Sequence, residues 1–160
     1  MSIECGLMAV EPNVAGRLET DYSAGRGLVA LRGAASCSLH KAWHAIHFLL
    51  TGLAEEAPLP EGYLLDGGRA LGEPDPDEMD AQPRLLSPAE VKAFAAVLRP
   101  LDGQELRRRF DHAAMLDADV YSIGPHAEEE FEFVAHYLEQ LRTFINEAAD
   151  AGHGAVITIG

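Results

Sequence analysis

The C-terminal part of the chain constrains the fold most, because a long amphipathic helix leads there into an apolar strand. Residues 127–150 place apolar side chains at alternating spacings of three and four, which predicts a helix with one broad buried face. The glutamates at 128–130 complement the positive end of its dipole. Gly152 and Gly154 then precede "AVITI", whose apolar character is typical of a strand buried on both faces. The pattern predicts an α/β domain.

The N-terminal part predicts a second strand and a helix. Residues 3–10 read as the first strand, and Pro12 suits a helix start. The glycine-rich stretch 23–36 is interpreted as a loop that contains a short strand at 28–31. Strands at both ends of the chain, with helices between them, agree with the α/β interpretation.

The most complete local pattern lies at "LLSPAEVKAFAAVL". Ser87, Pro88 and Glu90 form a capping box with proline at the first helical position, which predicts a helix start. Two further segments are expected after this helix: a helix over 102–116 and a short extended piece at 118–124, "ADVYSIG".

The chain is expected to form a single domain over residues 1–160. Residues 54–84 are interpreted as a loop-rich acidic insertion within it, with a strand at Tyr63–Leu65. The acidic run there places Asp75, Asp77 and Asp80 close together, but it lacks the glycine and the terminal glutamate of a calcium loop. A solvated loop is the preferred interpretation.

The charge of the chain bears on its partners. The net charge is −14, from 26 acidic and 12 basic residues. A nucleic-acid backbone would be repelled by this field, so no nucleic-acid partner is expected. The basic residues cluster at 107–109, beside Glu105 and Asp111, which favours a solvated helical face. The acidity instead suits a basic protein partner.

The sequence also favours a cytoplasmic location. No apolar run approaches the ~20 residues that a membrane-spanning helix needs, so no membrane partner is expected. The N-terminal "MSIECGLMAV" lacks the basic region of a signal peptide. Cys5 and Cys37 are accordingly interpreted as reduced thiols.

"HKAWHAIHFLLTG" (40–52) brings three histidines into one predicted helix, which Ser36 or Ser38 would cap and Gly52 would end. At 100° per residue, five apolar residues form one stripe: Leu39, Trp43, Ile46, Leu50 and Leu53. His47 lies at the edge of this stripe, so it is expected to be part-buried, with its ring bonded to a carbonyl or hydroxyl. His40 and His44 lie further round, toward solvent.

Two chemical interpretations of this stretch are less well supported than the structural one, in which its histidines belong to the core and the surface. Cys37, His40 and His44 have the spacing C-x2-H-x3-H of a zinc site, but no fourth ligand is evident. Cys37 near a helix N-terminus, beside an imidazole, would suit a nucleophile and its base. "GRGLVA" (25–30) matches a loose dinucleotide-binding fingerprint without the required strand and helix around it. No cofactor and no catalytic residue are therefore predicted.

Several segments together resemble the YfbM-like proteins, a bacterial family without an assigned function. They are "CGLMAV", "HKAWHAIHFLLTG", "GGRALGE", "RLLSPAEVKAFAAVL", "LDADVY" and "AGHGAVITIG", in the family's order. The resemblance implies a three-layer α/β/α sandwich around a mixed sheet. It covers six positions, namely Trp43, His47, Thr51, Gly52, Gly68 and Tyr121. His40 and His44 are outside the pattern, and "SIGPHAEE" after Tyr121 departs from it.

Two functions remain open. The first is a binding or protein-interaction module, one form of which is an immunity-type partner of a basic protein such as a toxin. The second is a small enzyme or ligand-binding protein whose pocket an aromatic ring, an imidazole and a phenol would line. The candidate pocket residues are Trp43, His47, Thr51, Gly68 and Tyr121.

Overall fold

A computed structural model describes residues 2–77 and 81–160, so Asp80 of the acidic run lies outside the described residues. Strands and helices follow one another along the chain in this order: β1 Cys5–Val10, α1 Ala15–Ser23, a 3₁₀ turn Val29–Leu31, β2 Ser36–His40, α2 Trp43–Thr51, β3 Arg69–Ala70, β4 Arg84–Leu86, α3 Pro88–Leu98, α4 Gly103–Arg109, α5 His112–Asp117, α6 Ala127–Asp150 and β5 Gly154–Ile159.

The strands form one five-stranded sheet in the order β2-β1-β5-β4-β3. Strands β1 and β5 pair at its centre over six residues, from Cys5 opposite Ile159 to Val10 opposite Gly154. The predicted α/β class is confirmed. The mixed sheet is a correction, because every pair among the described strands is antiparallel. The four helices between β4 and β5 return the chain so that β5 runs opposite to both of its neighbours.

Helices cover both faces of the sheet, because neighbouring residues of a strand point to opposite sides. Ala155 and Ile157 of β5 join the larger core cluster with residues of α2, α3 and α6. Val156 joins a second cluster with Val10 and with Leu18 of α1. Strand β5 is therefore buried on both faces, as its apolar run predicted.

The two helices with the most complete sequence patterns are confirmed. Helix α6 spans the predicted residues, 127–150. At the start of α3, the Glu90 amide donates to Ser87 Oγ at 3.2 Å. The Ser87 amide donates in return to Glu90 Oε1 at 3.0 Å, which completes the capping box.

The predicted start of the helix that contains the three histidines is wrong. Residues Ser36–His40 form β2, which pairs with β1, and helix α2 begins only at Trp43. Strand pairing therefore overrides the capping potential of Ser36 and Ser38. Gly52 ends α2 in the left-handed conformation, with φ +75°, as predicted.

Three shorter elements also differ from prediction. The strand expected at 28–31 is a 3₁₀ turn. The helix expected over 102–116 divides into α4 and α5, because Asp111 caps the second piece by accepting from the Ala114 amide at 3.0 Å. The extended piece expected at 118–124 is a set of turns in which Asp119 and Ser122 take positive φ angles of 53° and 68°.

The segment Tyr63–Leu65, expected as a strand, also forms turns. None of the helices formed by residues 2–77 and 81–160 has both the length and the apolar character needed to cross a membrane.

Candidate functional site

Trp43 and Tyr121 meet at the chain segment that enters β1. The Trp43 Nε1–H donates to the Ile3 carbonyl at 3.0 Å, and the Ile3 amide donates to the Tyr121 hydroxyl at 2.9 Å. The two rings lie 5.9 Å apart between centroids. They therefore bind the amide and the carbonyl of a single residue, Ile3, and fix the entry into β1.

His44 is half-buried rather than exposed, because it connects α2 to two loops. The Tyr121 amide donates to His44 Nδ1 at 2.8 Å, so this nitrogen is unprotonated. The proton therefore lies on Nε2, which is 2.7 Å from the Ala54 carbonyl and donates to it. Both ring nitrogens are occupied, which leaves none for a metal ion.

His47 is fully buried, at 0% exposure, where partial burial was expected. Its Nε2 lies 2.6 Å from the Glu55 carbonyl, and because a carbonyl only accepts, Nε2 carries the proton. The buried Nδ1 has no hydrogen-bond partner among the described residues. Burial lowers the pKa of His47 below its usual 6.5, which favours the neutral ring.

We expect His47 to make stability depend on pH. Because its pKa is lower in the folded chain, an unfolded chain takes up the proton first as the pH falls. The stability contribution is complete above the unfolded pKa of 6.5 and is lost as the pH drops from there toward the folded pKa. This group alone gives a slope of at most about 1.4 kcal/mol per pH unit.

The His47→Gln variant keeps a side-chain donor for the Glu55 carbonyl but does not titrate. Urea unfolding between neutral pH and mildly acidic pH should show a shallower loss of stability in this variant than in the unsubstituted chain. His126→Gln, at an exposed position, is the matched control and should keep the original slope. Equal slopes in all three chains would contradict the assignment.

The other expected pocket residues have separate settings. Thr51 donates to the His47 carbonyl at 2.8 Å and accepts from the Leu53 amide at 3.0 Å, so it closes the end of α2. Gly68 borders a cavity of about 370 Å³ at the start of α3. Trp43 borders a different cavity of about 400 Å³, and Tyr121 one of only about 10 Å³. The fold therefore joins Trp43 to Tyr121, with His44 rather than His47 between them.

Arg84 organises the turns that precede β3. Its Nη1 donates to the Asp66 and Gly67 carbonyls at 2.6 and 3.0 Å. Its Nη2 donates to the Tyr63 and Leu64 carbonyls at 3.0 and 2.6 Å. Sequence reasoning missed this role, because a single arginine at the start of a short strand carries no local signal for it.

The cysteine at the sheet edge does not have the environment of a nucleophile. Cys37 lies on β2 rather than at a helix N-terminus, and burial raises the pKa of its thiol to about 11. His40 is exposed, and its ring packs 5.1 Å from that of Tyr137. Within residues 2–77 and 81–160, no three His, Cys, Asp or Glu side chains are grouped so that they could hold a metal ion.

The basic cluster 107–109 is paired with carboxylates. Arg107 Nη1 lies 2.7 Å from Glu128, and Arg108 and Arg109 both contact Glu105, at 2.5 and 2.8 Å. These two guanidinium groups lower the pKa of Glu105 to about 2. The cluster therefore presents paired rather than free positive charge.

A groove runs between β2 and α6 along one edge of the sheet, with a volume of about 480 Å³. Strand β2 contributes Ser36 and Cys37 to its wall. Helix α6 contributes side chains at spacings of four, three and four, which share one helix face: His136, Gln140, Thr143 and Glu147.

This architecture defines an α/β domain in which helices cover both faces of an antiparallel sheet. Residues 1–158 match the family described as Domain of unknown function (DUF1877), and the chain belongs to that family. The fold is similar to that in the crystal structure of YfbM from Escherichia coli, a protein of unknown function. The two chains are 19% identical, with a TM-score of 0.73 over 98% of this chain and 99% of the other. The YfbM-like resemblance is confirmed, and no curated protein matches the chain.

Proposed function

We propose that this chain is a protein-interaction module whose partner is a basic protein. The observation that carries the proposal is the concentration of acidic side chains on the outer face of α6. Its exposed acidic residues are Glu128, Glu129, Glu132, Glu139, Glu147 and Asp150. The one basic residue of this helix, Arg142, has a side chain only 19% exposed.

Exposed carboxylates in such numbers attract a basic surface over several ångströms and speed its approach. The acidic charge belongs to the whole chain as well, at −14. An enzyme is less well supported, because the polar groups with catalytic potential have other roles. The rings of His44 and His47 hold loop carbonyls, and the Cys37 thiol has a raised pKa.

The second candidate, a small-ligand pocket, has one observation in its favour. The cavity beside Trp43 has a volume of about 400 Å³ and includes Arg84 in its wall. This volume falls within the range of ligand sites, roughly 300–1,000 Å³. However, four backbone carbonyls already accept from the guanidinium group of Arg84. The interaction module is therefore the preferred function.

The test begins with affinity capture by the purified chain at low ionic strength, followed by identification of the bound protein. The captured protein is then purified separately and titrated with the chain by calorimetry. We expect near-stoichiometric binding. Its affinity should fall about tenfold when the ionic strength is raised from low to physiological levels.

The double variant Glu129→Lys and Glu132→Lys should weaken this binding, since it reverses charge at two exposed positions of α6. A matched double replacement of exposed neutral residues outside α6, Ser2→Thr and Asn13→Gln, should leave it unchanged. Capture of no protein above background would count against the proposal. Binding that neither salt nor charge reversal affects would also overturn it.

A further inference from the structure

Among the strands formed by residues 2–77 and 81–160, β2 has one backbone edge to which no strand is paired. It lies at one end of the strand order, and β1 is its neighbour on the other side. Glu4 and Gly160 exchange both of their backbone hydrogen bonds, at 2.9 and 3.0 Å. Because such hydrogen-bonded positions recur at every second residue, the amides and carbonyls of the even-numbered residues of β1 point toward β5. The amides and carbonyls of the odd-numbered residues of β1 therefore point toward β2. The Ala9 amide, for example, donates to the Ala35 carbonyl at 2.9 Å.

This alternation fixes the direction of the peptide groups of β2. Cys37 lies opposite Leu7, and Ala35 opposite Ala9, in hydrogen-bonded positions. Ser36 and Ser38 occupy the positions between, so their amides and carbonyls point away from the sheet. Such an edge is a template for another extended segment.

Helix α6 borders the same edge and forms the second wall of the groove. Its side chains offer both polar and apolar contacts, because Glu147 is exposed whereas Phe144 is buried against the core. Cys37 of β2 adds a second apolar surface beside Phe144. An extended peptide on β2 would therefore place alternate side chains against α6.

We propose that the groove between β2 and α6 binds an extended basic segment of a partner protein, which adds to β2 as a further strand. This inference rests on the proposed function and assigns its surface. The charge of the groove selects the occupant. Glu139 and Glu147 lie in its wall, and no lysine or arginine is among the described residues that line it.

A second copy of the chain is a poorer occupant. Edge-to-edge pairing of two β2 strands would bring together two grooves that each carry Glu139 and Glu147, and like charges at an interface are costly. Arg142 offsets part of this charge, since its Nη1 lies 2.6 Å from Glu139 Oε2. Glu147 is therefore the carboxylate that best fits a lysine or arginine of the partner.

The first experiment measures binding of a short fluorescein-labelled peptide that alternates lysine with valine, by fluorescence anisotropy. Two matched peptides separate backbone pairing from charge. One has every second backbone amide N-methylated, which keeps the charge but removes the donors, and the other carries glutamate in place of lysine. We expect the N-methylated peptide to bind about tenfold more weakly, and the glutamate peptide not to bind.

The second experiment changes the chain. Ser36→Pro removes an outward-pointing amide without removing a bond to β1, and should weaken binding of the lysine–valine peptide about tenfold. Glu147→Gln leaves the backbone unaltered and should weaken it about threefold. Glu11→Gln, at an exposed position outside both α6 and the groove, should leave binding unchanged.

Three results would overturn the groove assignment: equal binding of the N-methylated peptide, no binding of the lysine–valine peptide, or equal binding by all variants. Conversion of a dimer to a monomer by Ser36→Pro, seen by sedimentation, would instead assign the edge to a second copy. A captured basic protein that binds Ser36→Pro and Glu147→Gln as tightly as the unsubstituted chain would reject the groove alone. The proposed function would then still stand.

Discussion

Replacement of Arg84 by methionine is expected to lower the free energy of unfolding by about 3 kcal/mol. The guanidinium group donates to four backbone carbonyls between Tyr63 and Gly67, and methionine offers no donor. Each carbonyl that stays shielded from water without a partner costs roughly 1–3 kcal/mol, and water that enters the turns recovers part of this.

The free energy of unfolding of Arg84→Lys should lie between those of Arg84→Met and the unsubstituted chain. Lysine can donate to some of the carbonyls, but its ammonium group cannot reproduce the fixed fork geometry of the guanidinium group. Arg32→Met is the matched control, since this arginine is exposed, and it should change stability by less than about 0.5 kcal/mol. Urea unfolding followed by the fluorescence of Trp43, the single tryptophan, measures all three variants. Equal stability of Arg84→Met and Arg32→Met would show that the turns do not depend on Arg84.

The turns around Arg84 also show what sequence patterns omit. A strand was predicted at Tyr63–Leu65 because aromatic and aliphatic residues favour strands locally. Their carbonyls instead converge on a side chain some twenty residues further along the chain. A contact of this separation leaves no periodic trace, so local propensity was the only available guide.

Helices α3 and α6, by contrast, are predicted by local sequence signals alone. Ser87, Pro88 and Glu90 supply a complete start signal for α3 within four residues. Helix α6 has a run of glutamates at its start, a long apolar periodicity and Gly152 just after its end. Where every local signal agrees, the element forms as predicted. The prediction of a helix start at Ser36 or Ser38 was wrong because serine suits a helix cap and an edge strand equally well, and these residues form β2.

The candidate site divides in the same way. The apolar stripe of α2 correctly predicts that Trp43 and Ile46 are buried, because helical periodicity determines which residues share a face. The partners of its histidines are set by the loops that follow and by distant turns. His44 binds the amide of Tyr121, 77 residues away, and this contact cannot be derived from the spacing of the histidines. Periodicity predicts the burial of a residue, whereas only tertiary structure supplies its partner.

Replacement of Gly68 by alanine is expected to lower the free energy of unfolding by about 3 kcal/mol. Gly68 has φ +72°, a conformation that L side chains rarely adopt. A Cβ atom there would also lie 2.8 Å from the Leu85 carbonyl oxygen and 2.8 Å from Leu86 Cδ2. Leu85 cannot retreat easily, because β4 is paired on both sides, with β3 and β5.

Gly25→Ala separates the two causes. Gly25 has a similar φ, +76°, but no heavy atom within 4 Å of a Cβ at that position. It should cost only about 1 kcal/mol, the conformational part of the effect. The difference between the two variants in urea unfolding then measures the close approach of Gly68 to β4. If Gly68→Ala were no worse than Gly25→Ala, β4 would have to yield to the added methyl group. The packing of the 63–68 turns against the sheet would then be looser than their contacts imply.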